Sequence, residues 1–311
     1  MKWRRYGKIF TPEEYGFSYA KSPQALEFRH FIRVYFSDCK KDGDKLISYV
    51  WFADFSKDFK EVMRVERQII PDGKLGCFDE HGIFPFSPLK ADGKIWAYTS
   101  GWSRRVSVSV DTGIGLAQSL DNGETFQRVG DGPVLTSSLR EPFLVIDGFV
   151  RKFNGLFHMW YIYGEDWKVY KPGADPDRIY KIGHAVSEDG IEWRRDGKRL
   201  IEDCVEDESQ ALPTVAYYNG MYHMFFCWRY SYDFRTNSRR SYRLGYAKSK
   251  DLYSWKRCDE CLNFGCSGSG WDSEMLCYPN VFIMDNELFL LYNGNGFGKS
   301  GFGLAKLEEL E

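Results

Sequence analysis

No stretch of this sequence approaches the ~18–20 consecutive apolar residues that a membrane-spanning helix needs, so no membrane partner is expected. An excess of one charge is missing too: 42 Lys and Arg against 44 Asp and Glu leave a net charge of −2. Affinity for a phosphate backbone rests on a concentrated basic face, so nucleic acid is not an expected partner. The N-terminus carries charge without an apolar segment behind it, and so reads as lacking an export signal. Eight cysteines in such a chain read as reduced thiols, which makes the cytoplasm the expected compartment. Histidine is scarce, at five residues, and no Ser-His-Asp or Cys-His arrangement emerges. No amphipathic helix of useful length is evident either.

Aromatic residues, in contrast, are abundant: 10 Trp, 20 Tyr and 24 Phe make up 17% of 311 residues. Such side chains favour pleated surfaces, and they also stack on ligands. Four segments share a turn followed by an apolar run: "ADGKIWAYTSG", "FNGLFHMWYIYG", "YNGMYHMFFCW" and "MDNELFLLYNG". After each comes a second shared string around Gly115, Gly183, Gly245 or Gly303, such as "KIGHAVSEDGIEW". A weaker copy precedes them. Each unit begins with a short apolar stretch headed by proline (Pro23, Pro85, Pro142, Pro213, Pro279), at spacings of 62, 57, 71 and 66 residues.

Runs of this length between Gly, Asn and Asp turns are strand signals. Four strands per unit, five times over, predict an all-β, five-bladed β-propeller. The predicted blades are 11–71, 79–136, 137–203, 204–263 and 270–311 plus 1–10, in a single domain. The last blade borrows the N-terminus because "MKWRRYGKIF" repeats "IEWRRDGKRL", the final strand of the third unit. The fifth unit stops at "GFGLAKLEELE" without such a strand, so the first ten residues are expected to supply it and close the ring.

In such a blade the turns after strands one and three share a face, and here they are short. The loops after strand two are mostly long and individual, as in "GEDWKVYKPGADPDRIY" and "WRYSYDFRTNSRRSYR". They open on the same side as the starts of the inner strands, around a central funnel, where function is expected. Aligned on their prolines, three units carry an acid at one offset: Glu80, Glu208 and Glu274 stand five residues before the proline. Asp79 and Asp207 stand six before it and Asp272 seven; the third unit carries Arg140 and Glu141 directly before Pro142. Acids before strands also cap turns, but like charges gathered round an axis repel unless they tune one another for proton transfer. A carboxylate pair ~5–9 Å apart is the machinery of glycoside cleavage. Trp102, Trp167, Trp228, Trp271 and Tyr278 would stack on sugar faces or pack the rim. Arg104, Arg105, Arg229, Arg239 and Arg240 would suit a phosphate or an anionic sugar, or form a solvated loop face.

Over essentially its whole length the sequence resembles the five-bladed propeller glycosidases and their relatives: arabinanases, β-xylosidases, invertases, levansucrases and mannoside phosphorylases. In that group the active-site acids sit at the starts of inner strands, which implies such a place for Glu80, Glu208 and Glu274. Arg140-Glu141-Pro142 looks like the Arg-Asp-Pro motif of the invertase-like members, with Glu for Asp. One departure matters. Hydrolases of the group place an aspartate on the first inner strand, whereas here "AKSPQALEF" offers Ser22 and Gln24.

The resulting expectation is an enzyme that cleaves or transfers a glycosidic bond. Glu208 and Glu274 lead as acid and base, Glu80 and Asp79 adjust the charge, and Arg140 and Glu141 hold sugar hydroxyls. Gln24, His81, Trp102, Asp207, Arg229, Trp271, Asp272 and Tyr278 complete the expected substrate contacts. The partner would be a carbohydrate, with phosphate or an anionic sugar as further candidates. Two alternatives stay open: a glycosyl phosphorylase or transferase, and a non-catalytic sugar-binding or scaffolding propeller. No cofactor or metal is expected. The Gly296-x-Gly298-x-x-Gly301 string lies in a loop with no helix after it, and Cys258, Cys261 and Cys266 want a fourth zinc ligand.

Overall fold

The computed structural model describes residues 1–43 and 45–310. β1 (Lys2–Phe10) comes first, and four blades of four strands follow. These are β2 (Lys21–Glu27), β3 (Ile32–Asp42), β4 (Lys45–Phe55) and β5 (Val62–Glu66); then β6 (Ile83–Ala91), β7 (Lys94–Arg104), β8 (Val110–Ser119) and β9 (Gln127–Arg128). The third has β10 (Val145–Phe153), β11 (Leu156–Lys168), β12 (Asp177–Ser187) and β13 (Arg194–Arg195); the fourth has β14 (Glu208–Tyr218), β15 (Met221–Tyr230), β16 (Arg243–Ser249) and β17 (Lys256–Arg257). β18 (Cys277–Met284), β19 (Glu287–Asn293) and β20 (Phe302–Glu309) form the fifth, and β1 completes it in the order β1-β20-β19-β18. This is the expected five-bladed propeller, closed as expected, with Arg5 opposite Ala305 and Phe10 opposite Phe302.

The repeated strings have local causes. Asp92-Gly93, Asn154-Gly155 and Asn219-Gly220 each take positive φ at both positions, which two-residue hairpins require. Gly183 and Gly245 leave room for rings on the neighbouring strand: a Cβ would meet Tyr161 at 2.8 Å and Phe226 at 2.4 Å. Those rings are buried, Tyr161 in the packing of the third blade and Phe226 in the largest apolar cluster, which runs through blades three to five.

Every inner strand carries the same defect, a bulge in which two residues face one on the next strand. The pairs are Ser22-Pro23 opposite Phe36, Phe84-Pro85 opposite Ser100, Asp147-Gly148 opposite Tyr161, Leu212-Pro213 opposite Phe226 and Tyr278-Pro279 opposite Tyr292. Four of the leading residues have positive φ; Phe84 precedes a cis proline instead. Amides freed by the bulges are taken up by the preceding blade. The Ser22 N–H donates to Asn293, that of Asp147 to Ser100, that of Leu212 to Asp147 and that of Tyr278 to the Cys227 sulfur. The third proline, expected at Pro142, is therefore replaced in this role by Gly148. Positions 23, 85, 148, 213 and 279 are spaced by 62, 63, 65 and 66 residues, a more even repeat than the one through Pro142.

The expectation of eight free thiols also changes. Cys258 and Cys261 form a disulfide across the single-turn helix α1 (Asp259–Leu262), whose geometry sets their Cα atoms 5.3 Å apart, within bonding range. Among the described residues, no helix is long and apolar enough to cross a membrane.

Candidate functional site

The inner strands and the loops after each second strand enclose a cavity of about 600 Å³ on the axis. Its walls come from Tyr19 and Lys21, Phe84, Asp147, Tyr278, the β7–β8 loop from Trp102 to Thr112, and the β15–β16 loop from Arg229 to Tyr242. That is the face the sequence pointed to. Rings cover much of the wall: Phe84 lies 5.3 Å from Tyr278, and Tyr278 lies 5.7 Å from Tyr242.

Asp147 is the single carboxylate among the described residues that line this cavity. Its place follows from the bulge, which turns the leading residue of each inner strand out of the ladder, and aspartate tolerates the left-handed backbone (φ 63°) that this needs. One oxygen, Oδ2, accepts the Leu212 N–H at 3.1 Å, while the other has no hydrogen-bond partner among the described residues. The side chain is buried. Burial pushes its carboxyl from the ordinary 3.8 up to about 7, against the opposing pull of the Leu212 N–H and Arg178.

The lysines and arginines on the wall set its remaining charge. Arg229 is 1% exposed. Its three nitrogens donate to the hydroxyls of Tyr242 (3.4 Å) and Tyr180 (2.9 Å) and to the Tyr230 carbonyl (2.9 Å), and its plane lies 3.6 Å from the Phe234 ring centre. Half-buried Arg178 sits over the rings of Trp102 and Trp167. Arg104 reaches Asp42 at 2.7 Å and Arg235 lies 4.0 Å from Asp177.

Of the residues singled out by sequence, His81, Trp102, Arg104, Arg229 and Tyr278 meet at this cavity. The acids at the shared offset do not line it. Of these Glu208, and with it the nearby acids Asp79, Glu141 and Asp272, is buried against an arginine on the outermost strand of its own blade. The pairs are Asp79–Arg128 (2.6 Å), Glu141–Arg195 (2.5 Å), Glu208–Arg257 (2.7 Å) and Asp272–Arg5 (3.5 Å). Each arginine faces, in register, the alanine two residues after the repeated glycine: Ala117, Ala185, Ala247 and Ala305. In the first blade Val65 stands opposite Ala53. The missing acid there is thus matched by a missing arginine, because the two are halves of one clasp.

The other candidates are also accounted for outside the walls. Glu80 accepts the Gly76 N–H and lies 3.4 Å from His81 Nδ1; Asp207 binds Lys168 and Tyr170; Glu274 is exposed. Arg140 donates to the Asp196 carbonyl, Gln24 is held by Asn280 between blades five and one, and Trp271 stacks on Tyr292. Around Glu208 burial raises the carboxyl's pKa, but Arg257 and the Cys204 thiol and N–H outweigh it and hold Glu208 below its usual value.

Asp147, Arg178 and Tyr180 were not singled out from the sequence. For Asp147 the signal was available in "VIDGFV", an Asp-Gly inside an apolar run at the even spacing of the bulge prolines.

No protein-family model matches the chain. An uncharacterised protein of Mycobacterium tuberculosis, Rv1502, is 31% identical over 315 residues, covering 99% of this chain and 100% of that one. A 1,2-β-oligomannan phosphorylase of Thermoanaerobacter sp. is 30% identical over 136 residues, 42% of this chain and 43% of its own. Among solved structures, a glycoside hydrolase matches with a TM-score of 0.75 at 17% identity, covering 98% of this chain and 91% of the other. The endo-arabinase from Bacteroides thetaiotaomicron matches with a TM-score of 0.66 at 14% identity, covering 94% and 95%. At these identities the structures speak for the fold alone, and it is the five-bladed propeller of the glycosidases.

Proposed function

We propose that this chain, which belongs to the family of the Mycobacterium tuberculosis protein Rv1502 and is built on the glycosidase propeller, breaks or transfers a glycosidic bond in its central cavity. Asp147 would be the proton donor. The observation that carries this reading is the pairing of a free carboxyl oxygen at the cavity wall with a pKa pushed up to about 7. A group that still holds its proton near neutrality suits general acid catalysis.

Hydrolysis in this fold needs a second carboxylate ~5–9 Å from the first. Among the described residues lining the cavity there is none, which favours the transfer or phosphorolysis reading. There the nucleophile is a bound second molecule, either a sugar hydroxyl or phosphate. Asp147 gives its proton to the glycosidic oxygen as the bond from the anomeric carbon to that oxygen breaks. The acceptor oxygen bonds to the same carbon, and the proton it sheds restores the carboxyl. Trp102, Tyr278 and His81 would contact the sugar. The relative named as an oligomannan phosphorylase supports this choice over hydrolysis. In the same reading Asp79, Glu141, Glu208 and Asp272 hold their blades together and do no chemistry.

The test is Asp147→Asn against a panel of glycosides with and without inorganic phosphate. Turnover of substrates with sugar leaving groups should fall about 10²–10⁴-fold. Aryl glycosides with acidic leaving groups need no donor and should lose far less. A variant that keeps full turnover, while Glu208→Gln folds normally and loses it, would overturn the assignment. A parent that binds sugars and never turns one over would make the chain a binding module.

A further inference from the structure

Resting on the reading of the funnel as a sugar site, the charge on its wall narrows the substrate class. Six Lys and Arg line the cavity against one carboxylate among the described residues. Two of the six have outside partners, Arg104 with Asp42 and Arg235 with Asp177. Arg229 is different: it is 1% exposed and makes no ion pair among the described residues. A buried charge is ordinarily paired, because removing it from water without a counter-charge is costly. The oxygens it meets among the described residues are neutral, two phenols and a carbonyl. A guanidinium has five N–H donors, so two remain after these three bonds.

Phe234 beneath the plane and the Tyr180–Tyr242 hydroxyl pair, 2.7 Å apart, fix its orientation. Arg178, at the start of β12 in the preceding blade, likewise has no ion pair and no side-chain hydrogen bond among the described residues. The rings of Trp102 and Trp167 lie beside it. Charge and sugar-stacking surface are therefore adjacent, and one ligand carrying both a ring and an oxyanion would satisfy both.

We propose that Arg229 and Arg178 form an oxyanion subsite that takes a phosphate or carboxylate carried by the sugar substrate itself. A rigid fork with spare donors suits the spaced oxygens of either group.

The experiment is a binding titration of the intact protein, by calorimetry and thermal shift, with four kinds of probe. These are α-D-glucose 1-phosphate and α-D-mannose 1-phosphate, D-glucuronate, inorganic phosphate alone, and neutral methyl glycosides. The sugar-borne anions should bind more tightly than the neutral sugars and than free phosphate. Arg178→Gln, at a half-buried position, should weaken them by about tenfold or more and leave neutral sugars unchanged. Arg229→Lys, which keeps the charge but loses the fork, should do the same. Free phosphate binding as tightly as the sugar phosphates would overturn the substrate-borne assignment. Neutral sugars binding as well as charged ones in parent and variants would overturn the oxyanion subsite and leave the sugar site standing. No binding by any probe would overturn both.

Discussion

Asp147 and Glu208 are both buried carboxylates, and their surroundings push them in opposite directions. Asp147 holds its proton more tightly in the fold than in the unfolded chain. Its favourable contribution is therefore complete below about pH 4 and is lost as pH rises through about 7, by about 4 kcal/mol at most. Asp147→Asn has nothing to ionise and keeps an oxygen for the Leu212 N–H. Calorimetry should find the variant melting with the parent at about pH 3.5 and above it at about pH 8; a parent with no such deficit would remove the raised carboxyl from the argument. Glu208 runs the other way. Its folded value lies below the usual one, so the clasp with Arg257 stabilises above about pH 4.5 and fades as pH falls. Glu208→Ala leaves Arg257 with Asp259 as its remaining counter-charge and removes a buried charged hydrogen bond, which should cost about 1.5–3 kcal/mol. Arg257→Met and the double variant complete the cycle, and denaturant titration should return a coupling of about 0.5–3 kcal/mol between the two residues. The acids were legible in the sequence as an offset. Their meaning was not, because the arginines lie far away in sequence, 49 residues on for Asp79 and Glu208 and 267 residues back for Asp272, and only the fold brings the two together.

At the scale of strands and turns the sequence was a better guide. Hairpin turns, the repeated glycine and the closing strand all announce themselves locally, since a positive φ or a ring over a strand admits few residue types. Gly245→Ala sets a methyl against the Phe226 ring, and overpacking of that kind should cost about 1–3 kcal/mol; an unchanged melting point would mean that the ring moves aside freely. Trp3 ties β1 to the fourth blade by donating its indole N–H to the Leu262 carbonyl at 2.9 Å and packing edge-on to Phe225 and Phe264. Trp3→Ala should cost about 3–5 kcal/mol, and hydrogen exchange should report faster opening of β20 in particular. The bulges were read only in part. Proline marks four of the five, and the eye follows proline. In the third blade glycine takes that place, and alignment on Pro142 shifted the register by six residues and hid Asp147.

Over the whole molecule, five similar blades place unlike residues at one radius: Ser22, Phe84, Asp147, Leu212 and Tyr278 lead the bulges, and only one of them is acidic. Fold and chemistry therefore separate. The repeat makes the frame legible, whereas the funnel is written in the positions where the repeat is broken. The cations that share the cavity with Asp147 stand mostly at strand ends, as Lys21, Arg104, Arg178 and Arg229 do, at positions where the blades do not repeat one another.

The pairing of β1 with β20 also sets a timetable for synthesis. β1 leaves the ribosome about 300 residues ahead of its partner, and at the usual elongation rate roughly 15–60 s separate them. Throughout that interval the strand is an unclaimed edge, open to pairing with a neighbouring nascent chain. Lys2, Arg4, Arg5 and Lys8 give it four positive charges in nine residues, and most of its side chains stay exposed even in the closed ring. A strand so charged repels copies of itself, so the same residues that finish the propeller keep its first segment solitary until the fifth blade is made.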